Sequence, residues 1–127
     1  MRVSGCPFCS IATDTIIGSR DTVVAIADNY PIGTGHTLIV PRRHTLSVFE
    51  LDEREYNNLW SLVAEIRKHL LKRFQPVAFT IGINDGKAAG QTVEHAHVHV
   101  IPRFEGDVDD PRGGIRWVVP KGAKYWE

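Results

Sequence analysis

The stretch Gly90-Gln91-Thr92-Val93-Glu94-His95-Ala96-His97-Val98-His99-Val100 places three histidines at alternate positions. Alternate residues of an extended strand point to the same side, so this spacing predicts a strand over residues 93–101 with three imidazoles in a row on one face. The residues between them, Ala96, Val98 and Val100, would face the core. Imidazoles are costly to bury without partners, which favours a cleft or a metal site over three unrelated surface or core histidines.

The patterns on either side of this strand predict an α+β domain. Short β-branched segments predict the other strands, at residues 16–19, 22–27, 36–40 and 77–83. Apolar residues at the helical period predict one long helix, with Asp52 and Glu55 as a capping box and Pro76 beyond its end. Short connections between strands favour antiparallel neighbours. We therefore expect a mainly antiparallel five-stranded sheet with one long helix.

Length and charge narrow the class of protein further. The 127 residues suit a single domain, 1–127, with a core over 6–104 and then a mobile connection and an aromatic tail over 105–127. Fifteen Lys and Arg balance fifteen Asp and Glu, so bulk charge gives no reason to expect a nucleic-acid partner. The longest apolar run, residues 23–27, is far shorter than the roughly 20 residues of a membrane span. We expect no membrane partner, no secretory signal and a cytoplasmic location.

The only two cysteines, Cys6 and Cys9, are separated by two residues. A disulfide between them would close a very small loop and stabilise the fold little, so a reducing compartment is favoured. The pair can be metal ligands, a redox motif or two free buried thiols.

The histidine-rich stretch resembles the signature of the histidine-triad (HIT) family of nucleotide hydrolases and transferases. Three further segments resemble the family's N-terminus, central strand and phosphate loop, and they are residues 6–11, 35–44 and 84–90. The similarity covers about residues 6–104. It implies a short N-terminal helix and a two-fold homodimer whose sheet continues across the interface, with Trp117 or Trp126 at the interface or reaching the partner's site.

The resemblance implies a reaction at the α-phosphorus of a nucleotide, with His97 as the nucleophile. An imidazole is neutral and nucleophilic near pH 7, and a covalent intermediate divides one difficult displacement into two easier ones. The attacking nitrogen keeps its lone pair if the other ring nitrogen donates a hydrogen bond, for which a backbone carbonyl is the expected acceptor. His99 would contact phosphate or assist with the leaving group's proton, and His36 would orient the triad.

The nucleotide would be held by the loops around these histidines. Gly90, Gln91 and Thr92 can offer backbone N–H groups and a hydroxyl to phosphate oxygens. Asn84 would donate to phosphate or sugar, and Asp28 would meet the ribose hydroxyls, although turn formation explains both residues equally well. Apolar contacts to the base could come from Phe8, Ile26 and Leu38.

A structural zinc site is also implied. In a subset of HIT proteins, and in the related galactose-1-phosphate uridylyltransferases, the corresponding residues bind zinc, and all four positions are matched here by Cys6, Cys9, His44 and His95. Two thiolates and two imidazoles make a closed tetrahedral site with no open position for catalysis. His95 is therefore assigned to the metal.

The substrate class stays open between dinucleoside polyphosphates and nucleoside phosphoramidates. Residues 100–103 look more like the dinucleoside-polyphosphate-hydrolase branch, in which Arg103 could attract an extra phosphate. Glu94 departs from the family pattern and leaves the preference in doubt. Two other interpretations are a non-catalytic nucleotide-binding module and a metal-dependent hydrolase in which His95, His97 and His99 hold one ion.

Overall fold

A computed structural model of the protein describes residues 2–127. The regular elements are β1 Ile16–Arg20, β2 Val23–Ala27, β3 Thr37–Pro41, α1 Glu53–Phe74, β4 Ala78–Gly82 and β5 Val98–Arg103. The five strands form one sheet in the order β1-β2-β3-β5-β4, and every neighbouring pair is antiparallel. The expected α+β fold is confirmed.

Helix α1 begins and ends where local chemistry predicts. The Asp52 side chain accepts from the Glu55 N–H, and the Glu55 side chain accepts from the Asp52 N–H, so two otherwise unpaired donors are satisfied. At the other end Gln75 takes the left-handed conformation, and Pro76 cannot continue the helix. One face of the helix packs on the sheet through its buried apolar residues, Leu59, Leu62, Val63, Ile66 and Leu70.

Strand β5 lies between β3 and β4 and positions the histidines. Val98 and Val100 are fully buried in the core under the helix. His99 lies between them and points to the opposite face, where it pairs in register with Leu38 of β3. The sheet therefore presents His99 on the side away from the helix.

Strand β5 begins at Val98, so the prediction of a strand from residue 93 is wrong for residues 93–97. In this segment the His95 N–H donates to the Val93 carbonyl at 2.8 Å, and the Ala96 N–H donates to the Thr45 carbonyl at 2.7 Å. These bonds satisfy the backbone without a ladder to a neighbouring strand. The other four predicted strands each agree with the structure to within one residue at either end.

Short elements differ from expectation in detail. Strands β3 and β5 extend beyond the predicted ends at residues 40 and 101 and include Pro41 and Pro102. Both prolines lie within the last two residues of their strands, where the missing backbone N–H costs little. The expected N-terminal helix is a single 3₁₀ turn at Thr13–Thr15. Within residues 2–127, no helix combines the length and the apolar character that crossing a bilayer requires.

The C-terminal tail folds on itself over two 3₁₀ turns, Gly114–Val118 and Pro120–Gly122. The Arg116 guanidinium donates to the carbonyls of Gly122 and Ala123 at 2.8 Å each, and Ala123 is fully buried. Arg112 lies over the Trp126 ring at 4.7 Å. These contacts give residues 112–126 a defined shape, whereas the mobile connection expected before the aromatic tail within residues 105–127 stays a prediction.

Candidate active site and metal centre

The irregular segment before β5 separates the histidines that the sequence pattern places in one row. His95 is fully buried, whereas His97 and His99 are partly exposed and lie with their ring centroids 5.0 Å apart. Three imidazoles on one exposed face are therefore not observed, because residues 93–95 bend before β5 and His95 is buried.

The buried His95 ring points at the cysteine pair. Its Nε2 lies 2.8 Å from the Pro41 carbonyl oxygen, which can only accept, so the ring proton sits on Nε2 and the Nδ1 lone pair is free. Nδ1 lies 3.4 Å from the Cys6 Sγ and 3.5 Å from the Cys9 Sγ. Burial lowers the pKa of His95, which keeps the ring neutral, as a metal ligand must be.

His44 completes this cluster, with its Nδ1 3.2 Å from the Cys9 Sγ. The four ligand atoms of Cys6, Cys9, His44 and His95 all lie within 4.8 Å of one another. Tetrahedral zinc with two sulfur and two nitrogen ligands requires separations of about 3.4–3.8 Å between ligand atoms. The donor set and its spacing thus fit zinc, and no side of the cluster is left for a substrate.

This arrangement does not support the three-histidine metal hydrolase. His95 and His99 belong to different clusters of metal-capable side chains, and His97 belongs to neither of the clusters found among residues 2–127. The physical reason is that the His95 ring is buried with its Nδ1 beside the two cysteines.

His97 lies beside a cavity of about 280 Å³ and is oriented by the backbone. Its Nδ1 lies 2.8 Å from the His95 carbonyl oxygen, so Nδ1–H donates to that oxygen and Nε2 keeps its lone pair. The Phe8 ring packs edge-on at 5.1 Å between centroids. The sequence-based expectation of a carbonyl acceptor behind this imidazole matches the geometry.

His99 shares the cavity and has the opposite tautomer. The Ile32 N–H donates to the His36 Nδ1 at 3.2 Å, so His36 carries its proton on Nε2. That proton is directed at the His99 Nδ1, 2.9 Å away, which leaves the His99 proton on Nε2. His97 therefore offers a lone pair, and His99 offers an N–H.

Both supporting imidazoles are neutral at physiological pH. Burial, followed by the charges of His97 and His36, lowers the pKa of His99 to about 4. Burial also lowers the pKa of His36, and the nearby Asp28 carboxylate opposes this. Asp28, His36 and His99 lie close enough to hold a metal, but the hydrogen-bond chain from Ile32 occupies the nitrogens that would coordinate it.

Gly35 allows this chain to form. It has a φ of 82°, and a Cβ built there would lie 2.9 Å from the Phe74 ring and 3.0 Å from Pro102. A side chain at this position would therefore push the Ile32–His36 loop away from the sheet.

The predicted nucleotide-binding residues are partly assembled around the same cavity. Asp28, Asn84, Gly90 and Thr92 all line it. The Asp28 Oδ1 also accepts from the Tyr30 N–H at 2.9 Å, so the turn-forming role is present in addition to the position beside the cavity.

Gln91 is placed differently. It is buried and does not line the cavity; its side chain accepts from the Gly86 N–H and donates to the carbonyls of Leu46 and Val93. The backbone N–H groups of Gly90 and Gln91 donate to the carbonyls of residues 87 and 86. In this loop, Asn84, Gly90 and Thr92 line the cavity, and the side chains of Asn84 and Thr92 are able to hydrogen-bond there.

The apolar wall of the cavity contains all three suggested residues, Phe8, Ile26 and Leu38. Sequence reasoning missed four others, Pro7, Ala27, Tyr30 and Val93. Tyr30 is 87% exposed, and its position directly after the Asp28 turn was the available signal.

Arg103 does not reach this site. Its guanidinium donates two hydrogen bonds to the Asp107 carboxylate, at 2.8 and 2.9 Å, and a third to the Thr80 hydroxyl. Arg103 lines a separate cavity from which His97 and His99 are absent. The suggested role in attracting an extra phosphate is therefore not supported, because an adjacent carboxylate already neutralises the charge.

Comparison with known proteins identifies the family. The model of the HIT domain family matches residues 11–106. A bis(5′-adenosyl)-triphosphatase of Dictyostelium discoideum is 37% identical over 100 residues, which are 79% of this chain and 67% of that protein. A HIT family protein of Bacillus anthracis has a crystal structure with a TM-score of 0.75 at 32% identity, covering 82% of this chain and 77% of the other.

A zinc-bound histidine triad family protein of Mycobacterium smegmatis is a further structural neighbour. Its TM-score is 0.72 at 32% identity, over 81% of this chain and 78% of that one. The family match, the fold and the histidine cluster agree, and the chain belongs to the HIT domain family.

Proposed function

We propose that the protein is a nucleotidyl hydrolase or transferase that cleaves at the α-phosphate of a nucleotide through a covalent nucleotidyl-His97 intermediate. The observation that carries this proposal is the 2.8 Å hydrogen bond from the His97 Nδ1 to the His95 carbonyl, with Nε2 beside a cavity. A neutral imidazole held in one tautomer, with its free lone pair facing a cleft, is an activated nucleophile.

The reaction proceeds in two displacements. In the first, the His97 Nε2 lone pair forms a bond to the α-phosphorus, and the bond from phosphorus to the leaving group breaks with its electron pair. In the second, water attacks the same phosphorus and gives up a proton to the solvent. The phosphorus–nitrogen bond breaks, its electron pair returns to Nε2, and the nucleoside monophosphate leaves a neutral His97.

Neighbouring groups supply binding and charge stabilisation. The His99 Nε2–H donates to a phosphate oxygen, a role that suits a neutral imidazole with a pKa of about 4 better than proton transfer does. Asn84 and Thr92 contact the phosphate, and Asp28 contacts the ribose. Phe8, Ile26 and Leu38 hold the base.

Zinc would be held by Cys6, Cys9, His44 and His95, and its part is structural. It would link the N-terminal segment to the residue whose carbonyl orients His97. The zinc-bound neighbour from Mycobacterium smegmatis supports this assignment.

The bis(5′-adenosyl)-triphosphatase relative supports a nucleotide substrate, and an asymmetrical bis(5′-nucleosyl)-tetraphosphatase of Schizosaccharomyces pombe, 40% identical over 80 residues, supports the same class. The proposed substrates are dinucleoside polyphosphates or nucleoside phosphoramidates. We also propose a homodimer, because β4 ends the sheet and its free edge can pair with a second copy.

The test is substitution of the nucleophile. His97→Gly should reduce turnover of a panel of these nucleotides by at least about 10³-fold, because the first displacement is lost, while calorimetry still detects binding. Quenched wild-type protein should carry one nucleoside monophosphate by mass spectrometry, and the variant should carry none.

The matched control is His69→Asn, since His69 is an exposed helix residue that does not line the cavity. This control should keep both the adduct and the turnover. Undiminished turnover in His97→Gly would remove His97 from the nucleophile role.

A further inference from the structure

The turn that carries the two cysteines contributes both to the metal centre and to the cavity beside His97. The Cys9 N–H donates to the Cys6 carbonyl at 3.2 Å, and both sulfurs belong to the group of ligand atoms that lie within 4.8 Å of one another. The two residues between the cysteines, Pro7 and Phe8, line the cavity. A rearrangement of the cysteines therefore changes the wall of that cavity.

A second connection between the cysteines and the nucleophile runs through His95. Its Nδ1 lies 3.4 and 3.5 Å from the two sulfurs, and its carbonyl accepts the hydrogen bond that orients His97. The Phe8 ring packs edge-on against both imidazoles, with centroids 5.8 Å from His95 and 5.1 Å from His97. The state of the two sulfurs is thus linked to His97 by two sets of contacts.

Both sulfurs can be reached by a small oxidant. Cys6 is partly exposed, and the buried Cys9 lines a cavity of about 180 Å³ together with the exposed Arg2 and Arg42. A sulfur bound to a metal ion is a thiolate, which is the reactive form of cysteine. An accessible thiolate beside a second cysteine is the arrangement found in redox-sensing proteins.

A disulfide between Cys6 and Cys9 would be easy to reverse. It would close a loop with only two residues between its ends, so it would add little stability to the fold. Partly exposed disulfides of this kind are the ones that thiols readily reduce. The sequence contains only these two cysteines, so no third thiol competes for the pairing.

We propose that Cys6 and Cys9 form a redox switch, in which a peroxide oxidises them to a disulfide, the pair no longer holds zinc, and turnover at His97 falls. The effect on turnover rests on the proposed function. The oxidation and the loss of zinc rest only on the metal centre of Cys6, Cys9, His44 and His95.

The oxidation takes place in two steps. The Cys6 thiolate attacks one oxygen of hydrogen peroxide, the oxygen–oxygen bond breaks, and hydroxide leaves with its electron pair, so Cys6 becomes a sulfenic acid. The Cys9 thiolate then attacks the Cys6 sulfur, the disulfide forms, and a second hydroxide leaves. The two sulfurs together lose two electrons, and the peroxide is reduced to two hydroxide ions.

The test treats the zinc-loaded protein with hydrogen peroxide and follows free zinc with a chromophoric chelator. Each chain should release one zinc and, by intact mass spectrometry, lose two hydrogen atoms relative to the reduced metal-free chain. The melting temperature should fall by at least about 5 °C, and turnover by at least about tenfold, because the residue that orients His97 loses its support. A dithiol followed by added zinc should restore all four quantities.

Two variants isolate the contribution of the cysteine pair. Cys6→Asp keeps an oxygen ligand for zinc but has no second thiol, so the peroxide treatment that empties the wild type should leave its zinc bound. Cys9→Asp serves in the same way if Cys6→Asp binds no zinc. His97→Asn should release zinc as the wild type does, because the oxidation does not involve the nucleophile.

Zinc retained by the wild type in excess peroxide, or released without a disulfide, would overturn the switch. Oxidation that a dithiol does not reverse would also overturn it, since sulfinic and sulfonic acids are permanent products. Release of zinc with unchanged turnover would contradict the coupling to His97. If no nucleotide gives an adduct on His97, the proposed function is refuted, and the mass and zinc measurements still decide whether the cysteines are oxidised as proposed.

Discussion

At the scale of single residues, the site depends on which nitrogen of each imidazole carries the proton. Backbone groups make this assignment: the His95 carbonyl for His97, and the Ile32 N–H, acting through His36, for His99. Two neighbouring histidines of identical chemistry thereby take opposite roles, one offering a lone pair and the other an N–H.

The low pKa of His99 makes the stability of the fold depend on pH. The pKa is about 4 in the folded protein, against an ordinary value of 6.5, so between these values the unfolded chain binds more protons than the folded one. The free energy of unfolding should therefore fall as the pH is lowered from 6.5 towards 4, and His36 acts in the same direction.

Urea unfolding at a series of pH values measures this effect. His99→Gln removes one of the two groups and should give a shallower fall, whereas the exposed control His69→Asn should follow the wild type. Identical curves for His99→Gln and the wild type would contradict the assignment.

At the scale of elements, the irregular segment of residues 93–97 connects the metal centre to the catalytic cavity. The side chain of His95 points to the two cysteines, and its carbonyl holds His97. The proposed zinc would therefore be bound by the side chain of the same residue whose carbonyl orients the nucleophile.

Loss of zinc should therefore affect both stability and rate. Elemental analysis should find one zinc per chain, and Cys6→Ser should lose it and melt at least about 5 °C lower, because binding to the folded state alone stabilises that state. Turnover should also fall, since the His95 carbonyl loses its support.

His97→Asn is the matched comparison and should retain the full zinc content. A metal-free Cys6→Ser variant with the melting temperature of the wild type would argue against a structural site. Loss of zinc from His97→Asn would instead support the alternative in which His95, His97 and His99 hold one metal ion.

At the scale of the whole molecule, the sheet has two free edges, β1 and β4. Free edges are sites of pairing between chains, and Val77 beside the β4 edge is 65% exposed. The proposed dimer would cover this edge.

Light scattering should give twice the chain mass of 14.2 kDa. Val77→Lys places a charge at the edge and should weaken association by about tenfold or more. The control Val3→Lys, at an exposed valine in the N-terminal segment, should leave association unchanged. A wild-type monomer at all concentrations would refute the dimer.

Local chemistry was sufficient for the elements of this fold. The capping pair Asp52 and Glu55 marks the start of α1, Pro76 marks its end, and β-branched runs mark four strands to within one residue. These features can be predicted because each depends on nearby residues. A side chain caps its own helix, and a proline lacks the N–H that a continuing helix requires. The family signature likewise identified the cluster of cysteines and histidines before any contact was known.

Contacts between segments that are distant in the sequence could not be predicted in this way. Nothing near His95 in the chain predicts that its ring is buried against the cysteine pair, because Thr45 and Pro41, about 50 residues earlier, accept the hydrogen bonds that hold this segment. The Gln91 side chain bonds to Gly86, Leu46 and Val93 for the same reason. Where a polar group hydrogen-bonds to a partner that is distant in the sequence, tertiary contacts decide its conformation and the local sequence pattern does not predict it.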